Sequence, residues 1–142
     1  MTVINGLDLE VGKKIIQRVS ENPEFGKTMW RARTVWKGGC KARSFVRDFA
    51  VDVDEPPDLG GTDTAPNPVE LVLSALGGCL VIGYTLNASM MGIELSKIEI
   101  ELEGDIDLPG FFGLKSDVLP GYTSVRARVF ITTVHDASVT FS

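Results

Sequence analysis

The spacing of apolar positions changes several times along this chain, and each change marks an element. From Leu9 to Glu21 the apolar residues Val11, Ile15, Ile16 and Val19 recur at the spacing of a short amphipathic helix, which Asn22-Pro23 ends. The period then drops to two: Trp30, Ala32, Thr34 and Trp36 alternate with Arg31, Arg33 and Val35. Lys37-Gly38-Gly39 signals a tight turn, and the chain continues extended from Cys40 to Val53, so residues 28–53 read as a β-hairpin. Residues 54–66 are rich in Pro, Gly and Asp. Structureless loops of this length are uncommon in compact domains and are often functional.

A second helix follows over residues 67–92. Asn67 is a good N-cap, Pro68 suits the first helical position, and Glu70 stands where it can close a capping box. From Leu71 to Ile93 no side chain can ionise except Cys79 and Tyr84, and Gly92 supplies the stop. Lys97 to Glu103 alternates Ile98, Ile100 and Leu102 against Glu99, Glu101 and Glu103. Residues 105–122 are irregular around an apolar knot, Phe111-Phe112-Gly113-Leu114. Thr123 to Val134 alternates again, with Val125, Ala127, Val129 and Ile131 against Arg126, Arg128 and Phe130. If these two strands are antiparallel neighbours, their outward glutamates and arginines pair. The pattern predicts a single α+β domain over 1–142. It has a helical extension at 1–27, strands and a loop at 96–134, and an antiparallel sheet wrapped around a long buried central helix. No late helix covers the strands, so the missing cover is expected from a second subunit.

The uncharged run from Leu71 to Ile93 is long enough to span a bilayer. Asn87, Gly77, Gly78, Gly83, the hydroxyl residues and the absence of flanking Lys or Arg favour a central helix of a soluble protein instead, with no membrane partner. Hydrophobic residues make up 44% of the 142 and charged residues 23%, which excludes disorder. The net charge of −5 argues against a nucleic-acid partner, although Arg31, Arg33, Lys37, Lys41, Arg43 and Arg47 form a locally basic stretch. Cys40 and Cys79 make no disulfide framework, and His135 has no neighbour with which to share a metal, so neither metal nor cofactor is expected. The N-terminus has no basic region ahead of an apolar run, which points to the cytoplasm.

Cys79 is the candidate reactive group. Ala75 and Gly83 flank it one turn either side, with Ser74 and Gly78 adjacent, leaving room for a second backbone or a ligand above the sulfur. About three turns into the helix it lies beyond the reach of the helix dipole, so a reactive thiolate there requires a cation from elsewhere in the fold. A small inert core residue is the alternative.

The run Asp54-Glu-Pro-Pro-Asp-Leu-Gly-Gly-Thr-Asp-Thr-Ala-Pro-Asn-Pro-Val-Glu-Leu-Val-Leu-Ser-Ala-Leu-Gly-Gly-Cys79 resembles the helix-start signature of OsmC-like proteins, the osmotically inducible and organic hydroperoxide resistance proteins. The resemblance continues through Ala88-Ser-Met-Met-Gly-Ile-Glu-Leu, Glu103-Gly-Asp-Ile-Asp-Leu and Gly110-Phe-Phe-Gly-Leu, covering roughly Trp36 to Val134. It implies an intertwined homodimer with sites at the subunit interface. It also implies thiol-dependent reduction of an organic hydroperoxide through a cysteine sulfenic acid, with Cys79 in the peroxidatic position. The family's assisting arginine and glutamate map to Arg43 and Glu70. Where the best-characterised members carry that glutamate directly after the proline, this chain has Val69, with Glu70 next. The family's usual resolving cysteine lies in a C-terminal helix, and this chain ends before such an element.

Three readings result. One is a peroxidase acting in oxidative stress defence through Cys79, regenerated by an external thiol or dithiol. Another is a degenerate relative that binds a small apolar ligand at the dimer interface. The third is a Cys40/Cys79 redox pair.

Overall fold

A computed structural model describes residues 2–135 and 139–141, and it is a mixed α/β structure of antiparallel sheets with no barrel. The chain divides into two compact units: Met1–Glu10 with Leu73–Ser142, and Val11–Val72.

In the first unit, strands β1 (Val3–Ile4) and β2 (Leu7–Asp8) form a minimal hairpin. Asn5 sits at its turn with φ of 53°, and its amide donates to Ser89 Oγ and Ile93 O, both at 2.9 Å. Its carbonyl accepts from Leu95 N at 2.8 Å, so one side chain ties the hairpin to the stretch after the long helix.

The principal sheet of this unit pairs β6 (Leu95–Ile106) with β7 (Tyr122–Thr133), and β7 with β8 (Val139–Phe141), all antiparallel. The register sets Ile98 opposite Ile131, Ile100 opposite Val129 and Leu102 opposite Ala127 on the inner face. On the outer face Glu101 opposes Arg128 and Glu103 opposes Arg126. The alternation therefore specifies both face and register, because a one-residue slip would turn every isoleucine outward. Arg126 donates to Asp105 at 2.7 and 3.1 Å and lies 3.4 Å from Glu103. Its hydrogen bond to Arg126 lowers the Asp105 pKa, against a smaller opposing effect of burial. Gly104 lies under the Tyr122 ring, where a Cβ would meet Cε1 at 2.5 Å. The β6–β7 connection carries a short helix, here called α3 (Leu108–Phe111), and its apolar knot is exposed rather than packed: Phe111 and Phe112 meet edge to face at 5.3 Å.

In the second unit, strands β3 (Arg33–Trp36), β4 (Ala42–Val46) and β5 (Phe49–Val53) form an antiparallel meander. The stretch expected as one extended arm of a hairpin is thus two strands, folded at Arg47-Asp48. Arg47 adopts φ of 53° there and stacks on Phe49 at 5.0 Å. The glycine turn forms as the sequence implies, with Gly38 and Gly39 at positive φ and Lys41 N bonded to Gly38 O. Helix α1 (Leu9–Glu21) begins in the first unit and enters the second, where Arg18 lies over Phe25 at 4.7 Å.

Helix α2 (Pro68–Met90) has both ends specified locally. At the start, Glu70 N donates to Asn67 Oδ1 at 2.9 Å and Asn67 N donates to Glu70 Oε1 at 3.0 Å, a complete capping box. At the end, Ile93 N reaches Ala88 O and Gly92 N reaches Ser89 O with Gly92 at φ 75°, the Schellman arrangement. Asn67→Ala is expected to cost about 1 kcal/mol, read as a shift in the urea midpoint with unchanged m.

Burial of α2 differs from expectation. Within the single chain only Ser89 of this helix is fully buried. Gly77 does lie against β6, where an added Cβ would stand 2.9 Å from Leu102 Cδ1. Val72, Leu76, Cys79, Gly83, Leu86 and Met90, spaced by threes and fours, share one stripe. All are exposed except half-buried Gly83. By length and composition α2 would also pass for a membrane span.

Candidate functional site

Cys79 lies near the middle of that stripe and its thiol is exposed. The neighbours one turn away, Ala75 and Gly83, carry almost no side chain, so the sulfur stands clear of its own helix. Cys79 belongs to the first unit, and Arg43 and Glu70 belong to the second.

Arg43 sits on β4 directly opposite Asp52 of β5. Its Nε donates to Asp52 Oδ1 at 2.6 Å and its Nη2 to Oδ2 at 3.1 Å. These hydrogen bonds raise the arginine's pKa and lower the carboxyl's. The pair is side-on, so among the described residues the Nη1 donors of the guanidinium are uncommitted. Arg43 is therefore a cation held by Asp52 with one edge available. Glu70 is engaged by the capping box, and its second carboxylate oxygen is the part left for other work.

Sequence reading missed Asp54, the residue that holds the loop at 54–66 in shape. It is fully buried and accepts five hydrogen bonds. Thr62 Oγ1 at 2.6 Å and Thr64 Oγ1 at 2.7 Å are the shortest; Glu55 N, Thr62 N and Thr64 N complete the set at 2.8, 3.4 and 3.1 Å. The Thr62 hydroxyl above all, with Thr64 and the backbone donors, keeps the carboxyl far below the ordinary carboxylate range in spite of its burial. Asp54 N also donates to Pro66 O, which closes the loop beside the cap of α2, and Asn67 Nδ2 reaches Glu55 Oε2 at 3.2 Å. Gly61 is indispensable here, because a Cβ would collide with the Glu55 backbone. The only sequence signal for this network is an acid followed by two threonines, which is too weak to single out.

Cys40 is exposed beside the glycine turn, its sulfur 3.9 Å from Leu59 O, and lies in the unit that lacks Cys79. Among the described residues no group of three His, Cys, Asp or Glu side chains could hold a metal ion.

The fold and the loop–helix junction define an OsmC-type α/β domain. A family model described as OsmC-like protein matches residues 61–139, more than half of the chain. The chain belongs to the OsmC-like family. Among solved structures it is similar to a Psychrobacter arcticus 273-4 protein, provisionally described as an osmotic stress induced and detoxification response protein. The likeness has a TM-score of 0.58 at 16% identity and covers 78% of this chain and 74% of that one. No curated protein sequence matches the chain.

Proposed function

We propose that the protein is a thiol-dependent peroxidase that reduces organic hydroperoxides through Cys79, with a stress-protective role. The observation that carries this reading is an exposed cysteine within the stretch that the OsmC-like family model matches, on a helix that clears space above its sulfur. The Cys79 thiolate attacks the terminal hydroperoxide oxygen; the O–O bond breaks, the alkoxide takes a proton and leaves as alcohol, and the sulfur becomes a sulfenic acid. An external thiol then condenses with it, releasing water, and a second thiol restores Cys79 by exchange. Arg43 is the proposed source of positive charge for the thiolate, and Glu70 the group that orients it.

The working form is proposed to be a homodimer in which the Val72-to-Met90 stripes of two copies meet. Spacing by threes and fours is that of a helix-on-helix seam, and its large residues are exposed in the single chain. Leu86→Glu is expected to convert a dimer to a monomer in light scattering at micromolar concentration, because the seam would bury an unpaired carboxylate from each copy. A wild-type protein that is already monomeric, or that partitions into detergent micelles, overturns the dimer.

The activity is tested by consumption of cumene or tert-butyl hydroperoxide with dithiothreitol as reductant. Turnover that needs Cys79 supports the proposal. A wild-type protein that turns over nothing, and whose Cys79 labels only on denaturation, leaves the binding of a small apolar ligand as the function.

A further inference from the structure

Beside the glycine turn, the second unit presents two lysines that the peroxidase chemistry does not use. Lys37 and Lys41 close the β3–β4 hairpin, with Lys37 N bonded to Lys41 O, so they face each other across the ladder. Alternation puts Arg43, opposite Val35, on the same face as both lysines, with Asp52 next across the sheet. A cleft of about 460 Å³ lies here, its lining including Lys37, Lys41, Arg43 and Asp52 together with Val53 and Ala65. A smaller hollow of about 300 Å³, lined by the turn glycines and by Gly60 and Gly61, shares the two lysines.

We propose that this cleft is a binding site for a small organic anion, a carboxylate or a phosphate monoester. Like charges directly opposite on neighbouring strands repel. A chain of net charge −5 nonetheless sets two lysines opposite each other and adds an arginine on the same face. The one acid in the cleft attracts Lys37 but offsets the repulsion only in part, because Asp52 is committed to Arg43 through two hydrogen bonds. Among the described residues neither lysine makes an ion pair, and Lys41 is half-buried. An anion between the two ammonium groups turns the repulsion into attraction. The volume suits a small ligand rather than a polymer, and Val53 and Ala65 in the lining suit its carbon skeleton. The far wall is preformed, since Thr64, which lines the cleft, is fixed by its two hydrogen bonds to Asp54. Nothing in this site requires the thiol of Cys79.

Trp36 provides the readout, because its indole Nε1 donates to Gly39 O at 2.9 Å within the same turn. In a Trp30→Phe background, the full chain is titrated with sodium phosphate and with sodium citrate, and with sodium chloride at matched ionic strength. A saturable fluorescence change with a Kd at or below about 1 mM for phosphate or citrate is expected. Response to phosphate alone assigns a phosphate monoester, response to citrate alone assigns a carboxylate, and response to both leaves the site a general small-anion site. Lys37→Gln and Lys41→Gln together are expected to weaken binding at least tenfold. Lys27→Gln, whose lysine pairs with Glu24 away from the cleft, leaves it unchanged. Removing one lysine of an opposed pair relieves repulsion, so Tm in the glutamine variants should not fall, and lost binding cannot be blamed on unfolding. The proposal is overturned if chloride reproduces the curve, if neither probe saturates below 10 mM, or if the double variant binds as wild type. Cys79→Ser protein binds the probes unchanged, which separates this site from the peroxidase reading.

Discussion

Cys79→Ser is expected to lower organic hydroperoxide reduction by about a thousandfold or more, equivalent to at least about 4 kcal/mol of barrier. The chemistry leaves no partial route. Attack on the O–O bond needs a soft nucleophile that can carry the resulting hydroxyl as a sulfenic acid, and a serine alkoxide is neither available at neutral pH nor able to follow that course. The substitution is also nearly isosteric, among small neighbours and at a position exposed in the single chain, so the fold should survive and far-ultraviolet circular dichroism should be unchanged. Cys40→Ser is the internal control, and most of the activity should remain, since an external dithiol regenerates the enzyme. Full activity in Cys79→Ser would sink the proposed mechanism, and equal loss in both variants would point to a Cys40/Cys79 redox pair.

The second large effect is at Asp54. Asp54→Ala is expected to lower Tm by roughly 10 °C and to accelerate hydrogen exchange across residues 55–66. Five donors converge on this one buried carboxylate, and removing it leaves the Thr62 and Thr64 hydroxyls without their acceptor and the loop without the group that gathers it. Asparagine should rescue little, because its NH₂ would point at groups that themselves donate. The pH dependence has a definite sign. The folded carboxyl titrates far below its unfolded value, held there first by the Thr62 hydroxyl. Its contribution is thus fully present above about pH 4 and is lost as the pH falls from there toward the folded pKa. Wild-type Tm should fall more steeply than that of Asp54→Ala as the pH drops below 4. Parallel curves would show that the carboxylate carries no such linkage.

Elements whose causes are local in sequence were legible before the fold was known. The capping box needs only Asn67 and Glu70 three residues apart, and the stop of α2 needs only a glycine able to adopt positive φ. The pairing of β6 with β7 was legible because isoleucines and valines mark one face while glutamates and arginines mark the other. The division of the first sheet was not. The chain reverses at Arg47-Asp48, and an arginine at φ 53° sends no turn signal, since its stacking on Phe49 replaces the glycine or asparagine that such a turn ordinarily uses. Arg43 was selected without its partner Asp52 for the same reason, because their opposition exists only once β4 and β5 are separate strands.

The sequence by itself determined where α1 and α2 start and stop and which face of each long strand is apolar. Those depend on contacts a few residues apart or on simple alternation. Only the tertiary structure decided that Asp54 is buried beneath Thr62 and Thr64, that Arg43 is held by Asp52, and that Lys37 and Lys41 oppose each other over a cleft. It also decided that α2, apolar enough for a core, leaves most of its stripe uncovered in one chain. Hydropathy records how strongly a helix seeks cover, and only the placement of other residues in space supplies it.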